Sequence, residues 1–183
     1  VHDSEIALVF VGSSSTAFVR HSNEPSTSGE GIDLSDISLT GAQEQLIRSV
    51  CATGKPVVVV LVAGKPFAIP YIKEKVPAIL AQWYAGEQAG NSIADILFGK
   101  VNPSGKLPFS FPQSTGHLPA YYNYLPTDKG YYKEPGTYTS PGRDYVFSSP
   151  APLWTFGHGL SYTRFEYVQA TTDKTSYQPC LLY

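Results

Sequence analysis

The sequence predicts an α/β fold: a three-layer sandwich with a mostly parallel sheet between helices, followed by a Pro/Tyr-rich loop region. Two observations point there. Three apolar runs, Ile6–Val11, Pro56–Val62 and Ala78–Trp83, are separated by helical patterns, and strands that alternate with helices form parallel sheets through right-handed crossovers. From Lys100 onward the character changes, because Pro103, Pro108, Pro112, Pro119, Pro126, Pro135, Pro141, Pro150 and Pro152 interrupt any long element.

Each element follows from local chemistry. Ile6–Val11 is apolar throughout and stops at Gly12, as expected for a strand covered on both faces. Thr40 reads as a helix N-cap, with Gln43 three residues on completing a capping box. Ala42, Leu46, Ile47 and Val50 share one face of that helix, and Gly54 supplies a left-handed cap. The valine-rich run Pro56–Val62 ends before Gly64. Pro66 opens a short helix to about Lys75, weakened or broken at Pro70. Ala78–Trp83 is a third strand, and Asn91–Phe98 a helix closed by Gly99. Leu107–Phe111 is a further candidate strand. Residues 1–167 are expected to form the sandwich domain, and 168–183 a tail or the start of a linker.

Composition narrows the function. A chain of 183 residues can bury a real core. A net charge of −2 gives no electrostatic reason to expect nucleic acid or an anionic membrane. No apolar run is long enough to span a bilayer, and Val1–Glu5 lacks the basic head and apolar stretch of a signal peptide. With only Cys51 and Cys180 there is neither a disulfide framework nor a metal-ligand cluster, so no metal and no cofactor are expected. The 13 Tyr, 9 Phe and 2 Trp are numerous for the length; rigid aromatics on loops can stack on sugar rings as well as pack cores.

Three segments are specific in residue order: Phe156-Gly157-His158-Gly159-Leu160-Ser161-Tyr162-Thr163-Arg164-Phe165-Glu166-Tyr167, Asn102-Pro103-Ser104-Gly105-Lys106-Leu107-Pro108, and Trp83-Tyr84-Ala85-Gly86-Glu87-Gln88-Ala89-Gly90. Together they make the chain resemble the C-terminal α/β domain of glycoside hydrolase family 3, over roughly Glu5–Tyr167. The resemblance implies part of an exo-acting β-glucosidase or β-xylosidase, with a β-glucoside or oligosaccharide as substrate. In that family this domain is half of an active site. The nucleophile, an Asp, stands on a preceding (β/α)8 barrel that nothing in this sequence matches. The family also has an earlier strand and helix before the equivalent of Ile6, and a later β-sandwich module. The isolated chain is therefore expected to be inactive and able to self-associate through its barrel-facing surface. A secreted or periplasmic setting is implied by the resemblance alone.

In open α/β sheets ligands gather beyond the carboxyl ends of the strands. The long loop Gly12–Leu39 lies there and carries Arg20, His21, Asn23, Glu24, Glu30, Asp33 and Asp36. Glycosidic cleavage needs two carboxyl groups, one to protonate the leaving oxygen and one to attack the anomeric carbon. Relatives carry in this loop a Glu shortly before a Gly and an Asp, then the helix cap and a Gln. Here the pattern is Gly29-Glu30-Gly31-Ile32-Asp33 followed by Thr40-Gly41-Ala42-Gln43. The resemblance thus nominates Glu30 as general acid/base, with Glu24 as runner-up and Arg20, His21, Asp33 and Trp83 as substrate-binding candidates. Leu34 departs from the pattern, because relatives often place an Arg after the Asp. A non-catalytic carbohydrate-binding or scaffold domain of the same fold is the alternative.

Other constellations carry less. Gly157-His158-Gly159-Leu160-Ser161 is not G-x-S-x-G and follows no strand-to-helix elbow, so His158 reads as a packed or hydrogen-bonded side chain. Gly12-Ser13-Ser14-Ser15 lacks both G-x-G-x-x-G and a P-loop lysine. Asn102-Pro103-Ser104-Gly105 reads as a turn, and its Pro excludes glycosylation.

Overall fold

A computed structural model describes residues 3–15, 26–123, 137, 139, 145, 148–173 and 176. In chain order the elements are β1 (Ala7–Gly12), α1 (Gln43–Cys51), β2 (Val57–Val62), α2 (Pro70–Lys75), β3 (Ala78–Gln82) and α3 (Ala89–Leu97), with a single 3₁₀ turn at Gly86–Gln88 leading into α3. The three strands form one parallel sheet in the order β1-β2-β3. Both crossovers step the same way across the sheet, so one handedness puts α1 and α2 on the same face.

The pleat decides what that face buries. Ala7, Val9 and Val11 pair in register with Val57, Val59 and Leu61, and period-two alternation sends all six to one side. There they join Ile47 and Val50 of α1, Phe67 and Ile69 of the β2–α2 loop, and Ile72 of α2 in the main core. Burying each such aliphatic side chain contributes about 1.5–3 kcal/mol.

The first strand is not covered on both faces as its uniform apolarity suggests. Leu8 and Phe10 point to the opposite side and remain 47% and 54% exposed, because no described element packs over that side of β1. An all-apolar run records that a strand expects two covers; it cannot say whether both are present. Helix α1 starts at Gln43, two residues later than the Thr40 cap implies, and has no side-chain cap. Its Leu46 is half exposed, while Ile47 and Val50 are buried. Pro70 opens α2 instead of breaking it, since a first-turn proline loses only an N–H that would be unpaired anyway.

The expected strand at Leu107–Phe111 is reduced to an isolated antiparallel bridge between Phe111 and Trp154. Around it the two specific segments clasp each other. The Leu107 N–H donates to the His158 carbonyl at 2.8 Å, and Gly157 N–H to the Leu107 carbonyl at 2.8 Å. Asn102 accepts from the Tyr162 N–H at 2.8 Å and donates to the Thr163 hydroxyl at 2.8 Å. Gly159 passes so near that a Cβ there would lie 2.2 Å from the Gly105 carbonyl oxygen. His158 is thus a clasp residue, half-buried. Burial, with Lys73 and Lys106 adding to it, holds its imidazole below the ordinary histidine range.

Candidate functional site

At the carboxyl edge of the sheet, the ends of all three strands converge on one network. At the last residue of β1, Gly12 is clipped by Gln43. Gly12 N–H donates to Gln43 Oε1 at 2.7 Å, and Gln43 Nε2 donates to the carbonyls of Gly12 and Thr40, both at 3.0 Å. The glutamine expected to cap its own helix instead fastens that helix to the strand end. Beyond β3, the Tyr84 hydroxyl reaches across to Ser13, 2.9 Å from its Oγ and 3.0 Å from its carbonyl. Beyond β2, Gly64 lies under the Tyr84 ring, where a Cβ would come within 2.7 Å. Removing that hydroxyl with Tyr84→Phe is expected to cost about 1 kcal/mol. Thermal unfolding should register a fall of about 2–4 °C for a chain this size, and an unchanged midpoint would show that the bridge carries nothing.

The long loop returns to this edge. Thr27 and Ser28 N–H groups donate to the Ser14 carbonyl at 2.9 and 3.1 Å, and Ser14 N–H donates to the Thr27 hydroxyl at 2.9 Å. That zipper brings the following turn back over β1. Gly29 and Gly31 have φ of +78° and +76°, a left-handed backbone that glycine adopts without strain. Between them stands Glu30, exposed, with its Oε2 accepting a hydrogen bond from the Ser15 hydroxyl. Alongside is an open cavity of about 400 Å³ lined by Phe10, Val11, Gly12, Ser13, Ser14, Thr27, Gln43 and Val62.

Asp33 is exposed on the same loop. Trp83 follows the last residue of β3 on this edge and sets its ring edge-on to Phe109 at 5.4 Å and tilted to Phe111 at 6.4 Å. Arg20, His21 and Glu24 lie outside the described residues. The exit of the loop is fastened at Asp36–Leu39. Ser38 donates to Asp36 through its N–H at 2.8 Å and its hydroxyl at 2.9 Å. Ile37 N–H reaches the Thr115 hydroxyl at 3.4 Å, and Ala68 N–H donates to the Ile37 carbonyl at 3.0 Å. The Ser38 bonds, chiefly its N–H, hold Asp36 below the usual carboxylate range, and the charge of Lys65 adds to this.

Sequence reasoning missed Gln43 as a clip, Tyr84 as a bridge and Lys65 as a buried cation. Lys65 had one signal, its place between Gly64 and Pro66 directly after a strand. Among the described residues no group of three or more His, Cys, Asp or Glu side chains is arranged to hold a metal.

The comparisons with known proteins agree with one another. Residues 1–162 match the glycosyl hydrolase family 3 C-terminal domain. A beta-xylosidase of Formosa agariphila is 43% identical over 154 residues, 82% of this chain and 20% of the relative. A periplasmic beta-glucosidase of Salmonella typhimurium is 44% identical over 150 residues, 81% of this chain and 19% of the relative. In solved structures, a beta-glucosidase from Listeria innocua superposes with a TM-score of 0.73 at 36% identity, covering 91% of this chain and 21% of that one. The chain therefore spans about a fifth of the length of these relatives.

Proposed function

The chain belongs to glycosyl hydrolase family 3, as its C-terminal domain, and from that premise we propose that it lines the sugar site of a retaining, exo-acting β-glycosidase, first a β-glucosidase, with Glu30 as general acid/base. The observation that supports this most is the tether of Glu30 to Ser15, which holds a carboxyl beside an open cavity at the sheet's carboxyl edge. Ser15 takes Oε2 and leaves Oε1 free to carry the proton.

The chemistry is a double displacement. A carboxylate on the barrel domain attacks the anomeric carbon while Glu30 gives its proton to the departing glycosidic oxygen. The Glu30 carboxylate then takes a proton from water, and that water displaces the barrel carboxylate to release the sugar. Both steps need the barrel, so this half alone has no nucleophile.

The test is a pairing experiment. The 183-residue chain alone should give negligible aryl β-glucoside hydrolysis, and fusion behind a family 3 barrel domain should restore it. Robust turnover by the chain alone would overturn the assignment of the nucleophile. Calorimetric binding of glucose, xylose or cello-oligosaccharides with no hydrolysis even in the fusion would favour the non-catalytic carbohydrate-binding reading.

A further inference from the structure

Lys65 is the least comfortable residue at this edge. It is only 9% exposed, and its Nζ is shielded from solvent without any hydrogen-bond partner. The ammonium lies 5.0 Å over the ring of Phe67, which is itself buried in the main core. A cation–π contact compensates only part of the lost hydration. Burial accordingly pushes the Lys65 ammonium below its ordinary range, with the charge of Asp36 acting in the opposite direction. Buried unsatisfied polar groups are few in native proteins and call for a reason. They concentrate where a fold gives up stability for function.

The surroundings supply the reason. Lys65 follows β2 at the edge where the loop bearing Glu30 returns, and Ala68, three residues on, fastens that loop's exit by donating its N–H to the Ile37 carbonyl. Asp36, one residue before Ile37, is the carboxylate whose charge acts on Lys65. We propose that Lys65 is a positioning residue: its buried ammonium attracts the Asp36 carboxylate and holds the return arm of the Glu30 loop against the carboxyl edge of the sheet. Asp36 is exposed and forms no ion pair with Lys65, so the attraction acts through space, screened by solvent on the Asp36 side and less so on the buried Lys65 side. A paired lysine at the same place would spend that field on its partner. The functional weight of this tether rests on the role proposed for Glu30; its existence does not.

The experiment uses the 183-residue chain without substrate, so its outcome is independent of whether Glu30 is the acid. Amide hydrogen exchange is followed by NMR at Ile32, Ile37 and Ala68, whose N–H groups close the loop's turn and its exit. In Lys65→Met these amides should exchange about tenfold faster or more, while the β1–β2 ladder keeps its rates. The melting temperature should stay level or rise, because methionine removes a buried charge and keeps a long unbranched side chain, one atom shorter than lysine. Lys65→Arg should restore slow exchange. Asp36→Asn, which keeps the acceptor for Ser38 and removes the charge, should loosen the same amides, and the double variant should be no looser than either single one. The tether is refuted if the Met variant leaves loop exchange unchanged, if the speeding merely follows a fall in melting temperature, or if the two single effects add. Should Lys65→Met not fold, the Asp36→Asn result decides alone: an unchanged loop there refutes it equally.

Discussion

Alanine at position 12 is expected to destabilise the chain by about 4 kcal/mol or more, above the usual range for overpacking. The new Cβ would sit 1.7 Å from the Val62 carbonyl oxygen and 2.6 Å from its carbon. Overpacking is usually relieved by rotating a side chain, and here the obstacle is backbone. Gly12 is in register with Val62, and the next residue, Ser13, donates its N–H to that same carbonyl at 3.0 Å. Moving β1 away would also tear Gly12 from both ends of the Gln43 amide. For a chain of this length the thermal midpoint should fall by about 10 °C or more. Circular dichroism melts measure it directly, and a midpoint within about 2 °C of wild type would mean that the strand end is far more yielding than its packing implies. Because Gly12 roots the long loop, any folded remnant should also lose order around Glu30.

How legible this arrangement is in the sequence depends on the range of the interaction. The three strands announce themselves through contiguous valine and isoleucine, and the parallel sheet follows from the helices between them. The clasp between Asn102–Pro108 and Phe156–Tyr167 is equally visible, because both segments are specific in residue order. Gln43 shows the limit. A local rule assigns its amide to Thr40, three residues away, and the amide does touch Thr40, but its shortest bond is to the N–H of Gly12, 31 residues distant, and it binds the Gly12 carbonyl as closely as that of Thr40. Local propensity has no access to that competition. Leu8 and Phe10 show a second limit, since a run's apolarity reports the cover a strand requires and not what packs over it. Lys65 shows a third. A lysine in a Gly-Lys-Pro loop reads as solvated by default, and only the fold reveals that it is buried, with its ammonium over the Phe67 ring. Glu30 was reached by family resemblance; spacing alone cannot separate it from the other carboxylates of that loop.

Glu30→Gln, placed in a polypeptide that also carries the barrel, is the substitution with the largest expected effect on activity. Glutamine keeps the shape and can still accept from Ser15, so the loop should hold its position. It has no proton to give to a departing oxygen. Hydrolysis of cellobiose or an alkyl β-glucoside, whose leaving groups are strongly basic, should fall by about 10²–10⁴ in kcat/KM, the usual contribution of general acid–base catalysis. A nitrophenyl glucoside leaves without protonation, so its first step survives. Its second step still needs the Glu30 carboxylate to deprotonate water, and the glycosyl intermediate should accumulate. For that substrate kcat and KM should therefore fall together and kcat/KM should hold nearly constant, with a burst of phenolate at the start of the reaction. The contrast between the two leaving groups isolates proton donation from any general loss of fold, because a loosened loop would weaken both substrates alike. Equal, small losses on both would exclude Glu30 as the acid and pass the role to Glu24.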